Sequence, residues 1–184
     1  IFQDYDKGVL SEPLIQWVQQ QADQHQILTA VDPKRRNFLH YKQATLFKPN
    51  LKELKEGLQQ EALALHKEEY DLQPTIREAS DALRQRLQHQ ITLITLSEKG
   101  VFIDDTQQSV FIPAHVREIS DVSGAGDTVI SIAALCLALQ LPIPLTASLA
   151  NLGGGIVCEY TGVVPIDVSR LLQEANQHLT LSTT

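Results

Sequence analysis

Apolar residues recur along this chain at two spacings: short continuous runs of the kind buried strands use, and i, i+3, i+4 faces of the kind helices use. Ile1 and Phe2 read as the end of a strand, and Asp4-Tyr5-Asp6-Lys7-Gly8 as the loop leaving it. Leu14, Ile15, Val18 and Ala22 make a helical face that Ser11 can cap. Short strands are predicted over Ile27 to Val31, ending in Asp32-Pro33-Lys34, and over Ala44 to Phe47, ending in Lys48-Pro49-Asn50. Asn50 can cap a helix carrying Leu51 and Leu54. Gly57 to Gln73 is polar apart from Ala62, Leu63 and Leu65, and reads as helix plus loop. Ile76, Ala79, Leu83 and Leu87 form a clean helical face, and Ile91 to Leu96 a buried strand. Val101 to Ile103 and Ser109 to Ile112 read as a hairpin around Asp104-Asp105-Thr106. Helices are predicted at 125–140, 145–160 and 168–179, the last with Val168, Leu171, Leu172, Ala175 and Leu179 on one side.

Strands alternating with helices predict an α/β fold, a mainly parallel sheet with helices on both faces. The polar and glycine-containing loops then leave the C-terminal ends of the strands, the edge at which open α/β sheets bind ligands. At 184 residues the chain is long enough for one domain with a real core, and 43% hydrophobic residues argues against disorder. A net charge of −7 leaves no basic surface for a nucleic-acid backbone. No apolar run approaches a membrane span, and no secretory signal opens the chain. Cys136 and Cys158 fall among apolar neighbours in predicted helices, so core packing is expected rather than a disulfide or a metal site. The expectation is a cytoplasmic protein with neither nucleic acid nor membrane as partner. The chain contains no methionine and opens on Ile1-Phe2 as though already inside a strand, which suggests a fragment or a chain from which residues are missing.

The most informative stretch is Asp121-Val122-Ser123-Gly124-Ala125-Gly126-Asp127-Thr128, a glycine-broken loop followed at once by apolar residues that read as a buried helix. The glycines let the N–H groups from Ala125 to Thr128 point outward at the helix N-terminus, where the macrodipole favours an anion. A phosphate fits that place, yet Asp127 would repel one. Its presence is explained if it receives a proton from a hydroxyl attacking phosphorus, which points to phosphoryl transfer to an alcohol.

This loop resembles the C-terminal signature of the ribokinase-like (PfkB) sugar kinases, D-x-x-G-A-G-D-x. Phe47-Lys48-Pro49-Asn50-Leu51-Lys52-Glu53-Leu54 is similar to that family's K-P-N-x-x-E segment, and Thr95-Leu96-Ser97-Glu98-Lys99-Gly100 to its strand-end T-L-G-x-x-G loop, with Ser97 in place of the first glycine. The three occur in the family's order, which is more specific than any alone. Asp4-Tyr5-x-Lys7-Gly8, Val31-Asp32-Pro33-Lys34 and Asp121-Val122-Ser123-Gly124 look most like the heptose-7-phosphate kinases. The resemblance implies a ribokinase-like, Rossmann-like three-layer sandwich. It also implies that residues 1–184 are the C-terminal, nucleotide-binding part of one sugar kinase domain, whose sugar-binding and lid part would lie before Ile1. The implied activity is ATP-dependent phosphorylation of the anomeric hydroxyl of heptose 7-phosphate, for lipopolysaccharide synthesis. The alternatives are another sugar or sugar phosphate, such as fructose 1-phosphate or ribose, and a non-catalytic nucleotide-binding module. Dimerisation through the lid is common in the family, which makes a homodimer the expected assembly.

Each candidate residue carries a plainer reading beside the functional one. Asp127 is the expected base or else a helix cap, and the preceding Gly124-Ala125-Gly126 favours the base, with the amides of 125–127 as an anion hole. Asp121 either helps bind a monovalent cation or fixes the loop through backbone hydrogen bonds. The resemblance assigns Asn50 and Glu53 to hydrated magnesium and Lys48 to the nucleotide phosphates, while Asn50 and Glu53 also have the spacing of a capping box. Ser97, Glu98 and Gly100 would line the nucleotide or form a hairpin turn. Asn151 and Gly155 match family positions near adenine, and the Gly153-Gly154-Gly155 run equally suits close helix packing. Lys7 and Lys34 are candidates for holding the sugar's 7-phosphate; Arg35 and Arg36 read as a solvated turn. The six histidines lack ligand spacing, so no metal is assigned to them, and His115, near the proposed nucleotide loop, is expected at the surface.

Overall fold

Residues 1–58 and 72–179 are described in this computed structural model. The expectation of a helix plus loop over Gly57 to Gln73 falls mostly on 59–71, outside the described residues.

Among the described residues six strands form one mixed sheet in the order β1-β2-β3-β4-β5-β6: Phe2–Gln3, Ala30–Asp32, Leu46–Phe47, Ile91–Thr95, Val101–Asp104 and Ser109–Ile112. The first four run parallel, with Phe2 opposite Val31, Val31 opposite Phe47 and Leu46 opposite Ile91. The last two add antiparallel hairpin strands, Leu93 opposite Ile103 and Phe102 opposite Phe111. Among the described residues six α-helices, α1 to α6, span Glu12–Gln24, Leu51–Gly57, Leu72–Leu87, Ala125–Ala138, Ile143–Val157 and Val168–Leu179.

Alternation along the strands sorts the core into two layers. Val31, Phe47, Ile94 and Phe102 face one side, where Ile15 of α1, Leu54 of α2 and Ile76, Ala79, Leu83 and Leu87 of α3 cover them. Ala30, Leu46, Leu93, Val101 and Ile103 face the other, beneath Val129, Ile130 and Ala133 of α4 and Ala147 and Ala150 of α5. The result is the expected three-layer α/β sandwich with a mainly parallel sheet. Helix α6 packs outside α5 through Ala175, Leu152 and Ile156. Cys136 and Cys158 are free and buried, Cys158 at the C-terminal cap of α5.

Several expected boundaries shift for local reasons. The strand expected over Ile27 to Val31 begins only at Ala30, where pairing with Leu46 starts, one residue before Phe2 meets Val31. Ile27 and Leu28 are consequently exposed. Ser11 occupies the N-cap of α1 but makes no side-chain cap bond, and Leu14 turns outward while Ile15 and Ala22 are buried. Helix α5 starts two residues early, since Pro142 and Pro144 suit a first turn whose N–H groups lack partners anyway. Among the described residues no helix is long and apolar enough to cross a membrane.

Candidate active site

Parallel pairing places the ends of β1, β2, β3 and β4 along one edge, each followed by a polar segment: Asp4-Tyr5, Asp32-Pro33-Lys34, Lys48-Pro49-Asn50 and Ser97-Glu98. The N-terminus of α4 reaches the same edge. Gly124 takes its N-cap position at φ +79°, a left-handed conformation that glycine adopts without strain. The Ala125 N–H donates to the Val122 carbonyl at 3.3 Å, and Thr128 N donates to Gly124 O at 3.0 Å. The first helical amides have no intrahelical acceptor, which leaves those of Gly126 and Asp127 as outward donors.

Beneath this turn lies a buried ion pair. Lys48 Nζ stands 3.0 Å from Asp32 Oδ2, with both side chains almost wholly enclosed. A Cβ built on Gly126 would lie 3.6 Å from both atoms, so the loop rests directly over the pair. Gln3 Nε2 also donates to Asp32 Oδ2 at 3.0 Å, while Asp32 Oδ1 is buried without a protein partner. Asp127 is half-buried, and its Oδ2 accepts a 2.7 Å hydrogen bond from the Tyr5 phenol. That bond, followed by burial, raises the phenol pKa above the usual tyrosine value.

The loop after β1 is firmly held. Asp4, 2% exposed, accepts from Asn37 Nδ2 at 3.0 Å, from the Tyr41 hydroxyl at 2.8 Å and from Asp6 N at 2.8 Å. Burial and then the bond to Asp4 push the Tyr41 pKa strongly up. Lys7 lies exposed in this loop, and Arg36 pairs with Asp6 at 2.9 Å. Arg35 and Arg36 occupy an exposed 3₁₀ turn, as a solvated turn requires.

Asn50 and Glu53 form a complete capping box at the start of α2: Glu53 N donates to Asn50 Oδ1 at 2.8 Å and Asn50 N to Glu53 Oε2 at 2.9 Å. The other Glu53 oxygen pairs with Lys34. Burial opposes the charge on Lys34, but the contact with Glu53 outweighs it and raises the pKa. Asp121 fixes its own loop, accepting from Ser123 N at 3.0 Å and Ser123 Oγ at 2.8 Å on one oxygen and from Gly162 N at 2.9 Å on the other. Bonds from the Ser123 and Gly162 backbones hold its pKa below the usual carboxylate value. Among the described residues no group of three or more His, Cys, Asp or Glu side chains is arranged to hold a metal. Magnesium, which retains several waters, does not require such a group. The unpartnered, buried Asp32 Oδ1 is an acceptor suited to one of those waters.

The remaining candidates gather farther along the edge. Ser97 and Glu98 are exposed in a 3₁₀ turn after β4. Gly100 sits at φ +95°, and a Cβ there would overlap the Ile112 carbonyl oxygen. Asn151 donates to the Pro113 carbonyl at 2.9 Å, tying α5 to the segment after β6. In the glycine run, a side chain at Gly153 or Gly154 would overlap Ile132 or Val129 of α4, which supports the close-packing reading there. Gly155 instead faces Arg117, whose Nε would lie 2.9 Å from an added Cβ. Arg117 pairs with Glu159 and Glu174, and Arg170 with the same two carboxylates. His115 is half-buried rather than free at the surface, its ring 4.5 Å from that of His178. A separate apolar cleft lined by Ile1, Ile27, Leu28, Ala134 and Leu137 lies at the opposite ends of the strands, away from all these groups.

The structure thus brings Asp127, Gly124, Gly126 and Lys48 together, with Asn50, Glu53 and Lys34 at neighbouring strand ends. Tyr5 and Asp32 join them, two residues of the Asp4–Gly8 and Val31–Lys34 segments whose own roles are not legible in the sequence. Strand-end position was the available signal.

The profile of the pfkB family carbohydrate kinase matches residues 6–168. The bifunctional protein HldE of Methylobacillus flagellatus is 40% identical over 174 residues, covering 95% of this chain and 34% of that protein. HldE of Syntrophotalea carbinolica is 37% identical over 176 residues, with the same two shares. The chain therefore spans about a third of the length of these curated relatives. Among solved structures, phosphofructokinase-2 from Escherichia coli in complex with potassium superposes with a TM-score of 0.79 at 16% identity, over 93% of this chain and 53% of that one. Ribokinase from Thermotoga maritima gives 0.64 at 16% identity, over 84% and 52%. These likenesses in structure concern the fold.

Proposed function

This chain belongs to the pfkB family of carbohydrate kinases, and from that premise we propose that it is the nucleotide-binding part of a kinase that phosphorylates a sugar hydroxyl with ATP. The observation that carries the reading is that Gly126 rests directly over the buried Lys48–Asp32 pair, with Asp127 the next residue in the first turn of α4. A terminal phosphoryl group at that turn would meet the two amide donors and the Asp127 carboxylate, with the Lys48 ammonium paired to Asp32 beneath the loop. Asp127 is the unpaired negative charge there, and the transfer supplies it with a task.

In the proposed reaction the acceptor oxygen attacks the γ-phosphorus in line. Its proton passes to Asp127, the new O–P bond forms, and the bond from γ-phosphorus to the ADP oxygen breaks with its electron pair leaving on ADP. The transition state is loose, so position and charge stabilisation dominate over base strength. The α4 amides hold charge as it builds on the transferred group; Lys48, paired with Asp32 beneath the loop, would join them only by leaving that carboxylate. Magnesium, when bound, neutralises phosphate charge; Asn50, Glu53 and the free oxygen of Asp32 would hold its waters. Ser97, Glu98, Gly100, Asn151 and Gly155 would line the nucleotide. A monovalent cation, such as the potassium in the phosphofructokinase-2 complex, would be placed at Asp121.

The relatives named HldE support heptose 7-phosphate as the acceptor, with Lys7 and Lys34 taking its phosphate. Lys34 is now paired with Glu53, so an incoming phosphate would compete for its ammonium. The test is phosphorus NMR of the full-length protein with Mg-ATP and, in turn, heptose 7-phosphate, fructose 1-phosphate and ribose. A heptose bisphosphate signal is expected with the first alone. ADP formed with another sugar instead would overturn the substrate, and nucleotide binding without transfer to any of them would favour a non-catalytic module.

A further inference from the structure

One contact at this site has no counterpart in the reaction just described. The Tyr5 phenol donates to Asp127 Oδ2 at 2.7 Å across 122 positions of sequence. Tyr5 is 56% exposed, so it contributes little to the core. Its backbone is nonetheless fixed from the preceding residue: Asp4 N donates to the Asp32 carbonyl at 3.1 Å, and the Asp4 carboxylate is held by Asn37, Tyr41 and Asp6. An exposed aromatic on an anchored loop, bonded to one oxygen of a carboxylate, is a device for aiming that carboxylate.

Resting on the reading of Asp127 as the base, we propose that Tyr5 is a positioning residue, whose hydroxyl holds Asp127 Oδ2 and turns Oδ1 toward the acceptor alcohol. A carboxylate on an otherwise free side chain rotates about χ2, and each rotation away from the attacking oxygen is time lost to transfer. The phenol removes that freedom without adding charge. An ordinary phenol is protonated at neutral pH, and the Asp127 hydrogen bond raises its pKa further. In the proposed site the nucleotide phosphates would meet the α4 amides and not the phenol, so Tyr5 governs turnover and not nucleotide affinity.

The test compares Tyr5→Phe, Asp127→Asn and the double variant in the full-length protein. Tyr5→Phe is expected to lower kcat by roughly tenfold to a hundredfold, with KM for ATP and the melting temperature unchanged. Added to Asp127→Asn, it should produce no further loss. The carboxyl ¹³C resonance of Asp127 should also move in Tyr5→Phe, a readout that requires no substrate. A Tyr5→Phe kcat equal to wild type beside an inactive Asp127→Asn, or an unmoved resonance, overturns the role of Tyr5 alone. Turnover retained in Asp127→Asn overturns the base and Tyr5 with it.

Discussion

Lys48 Nζ and Asp32 Oδ2 stand 3.0 Å apart at adjacent strand ends, sealed from solvent beneath Gly126. Taking two charges out of water is costly, and here mutual attraction and the Gln3 bond offset that cost. Removing one charge strands the other. Lys48→Met should therefore destabilise the protein by about 3 kcal/mol, measured by urea unfolding. Adding Asp32→Asn should recover much of that loss. Equal losses that simply add would show that the pair is not coupled.

Gly126 and Gly100 make opposite predictions. Gly126 lies in the first turn of α4, where an added methyl meets Asp32 and Lys48 only at ordinary contact distance. Gly126→Ala should leave stability unchanged or raise it by up to about 1 kcal/mol, while weakening ATP binding several-fold by calorimetry. Gly100→Ala should destabilise by about 3 kcal/mol, since φ is +95° and its Cβ would strike the Ile112 carbonyl.

His89 gives a pH dependence with a defined sign. It is 2% exposed, bonded through Nε2 to Thr92 Oγ1 at 2.7 Å, and its Nδ1 has no partner. Burial, and then the nearby Arg84 charge, push its pKa down to about 4 from 6.5. The unfolded chain thus binds a proton between those values that the fold refuses. Stability from this residue is full above pH 6.5, falls as pH drops toward 4 and levels off below. The loss is about 3 kcal/mol at 1.36 kcal/mol per pH unit. His89→Gln should flatten this slope in unfolding free energies measured between pH 4 and 6.5; an unchanged slope would show that other groups set it.

Local chemistry in the sequence carried much of this. The face Ile76, Ala79, Leu83 and Leu87 is wholly buried, and the three-residue spacing of Asn50 and Glu53 appears as a capping box. The Gly124 to Asp127 turn opens a helix as its glycines require. Relationships across the chain were not legible. Nothing local to Tyr5 indicates that its hydroxyl meets Asp127, nor does Asp32 announce Lys48; both depend on which strands are neighbours. Ile27 and Leu28 looked like strand because they are apolar, but β1 gives them nothing to pair with. The linkage of Arg117 and Arg170 to Glu159 and Glu174 likewise exists only once α5 and α6 pack.

Asp127 sets a carboxylate beside the two outward amides of α4. Asp127→Asn keeps the shape, the Tyr5 contact and the helix start but cannot accept a proton. Turnover and Mg-ATP affinity should be measured together on the full-length variant. In Asp127→Asn kcat is expected to fall by a factor on the order of a hundred or more while the calorimetric Kd for Mg-ATP stays within about twofold of wild type. A variant that turns over at the wild-type rate, or that loses nucleotide binding along with turnover, would contradict the assignment of Asp127 as the group that takes the acceptor's proton.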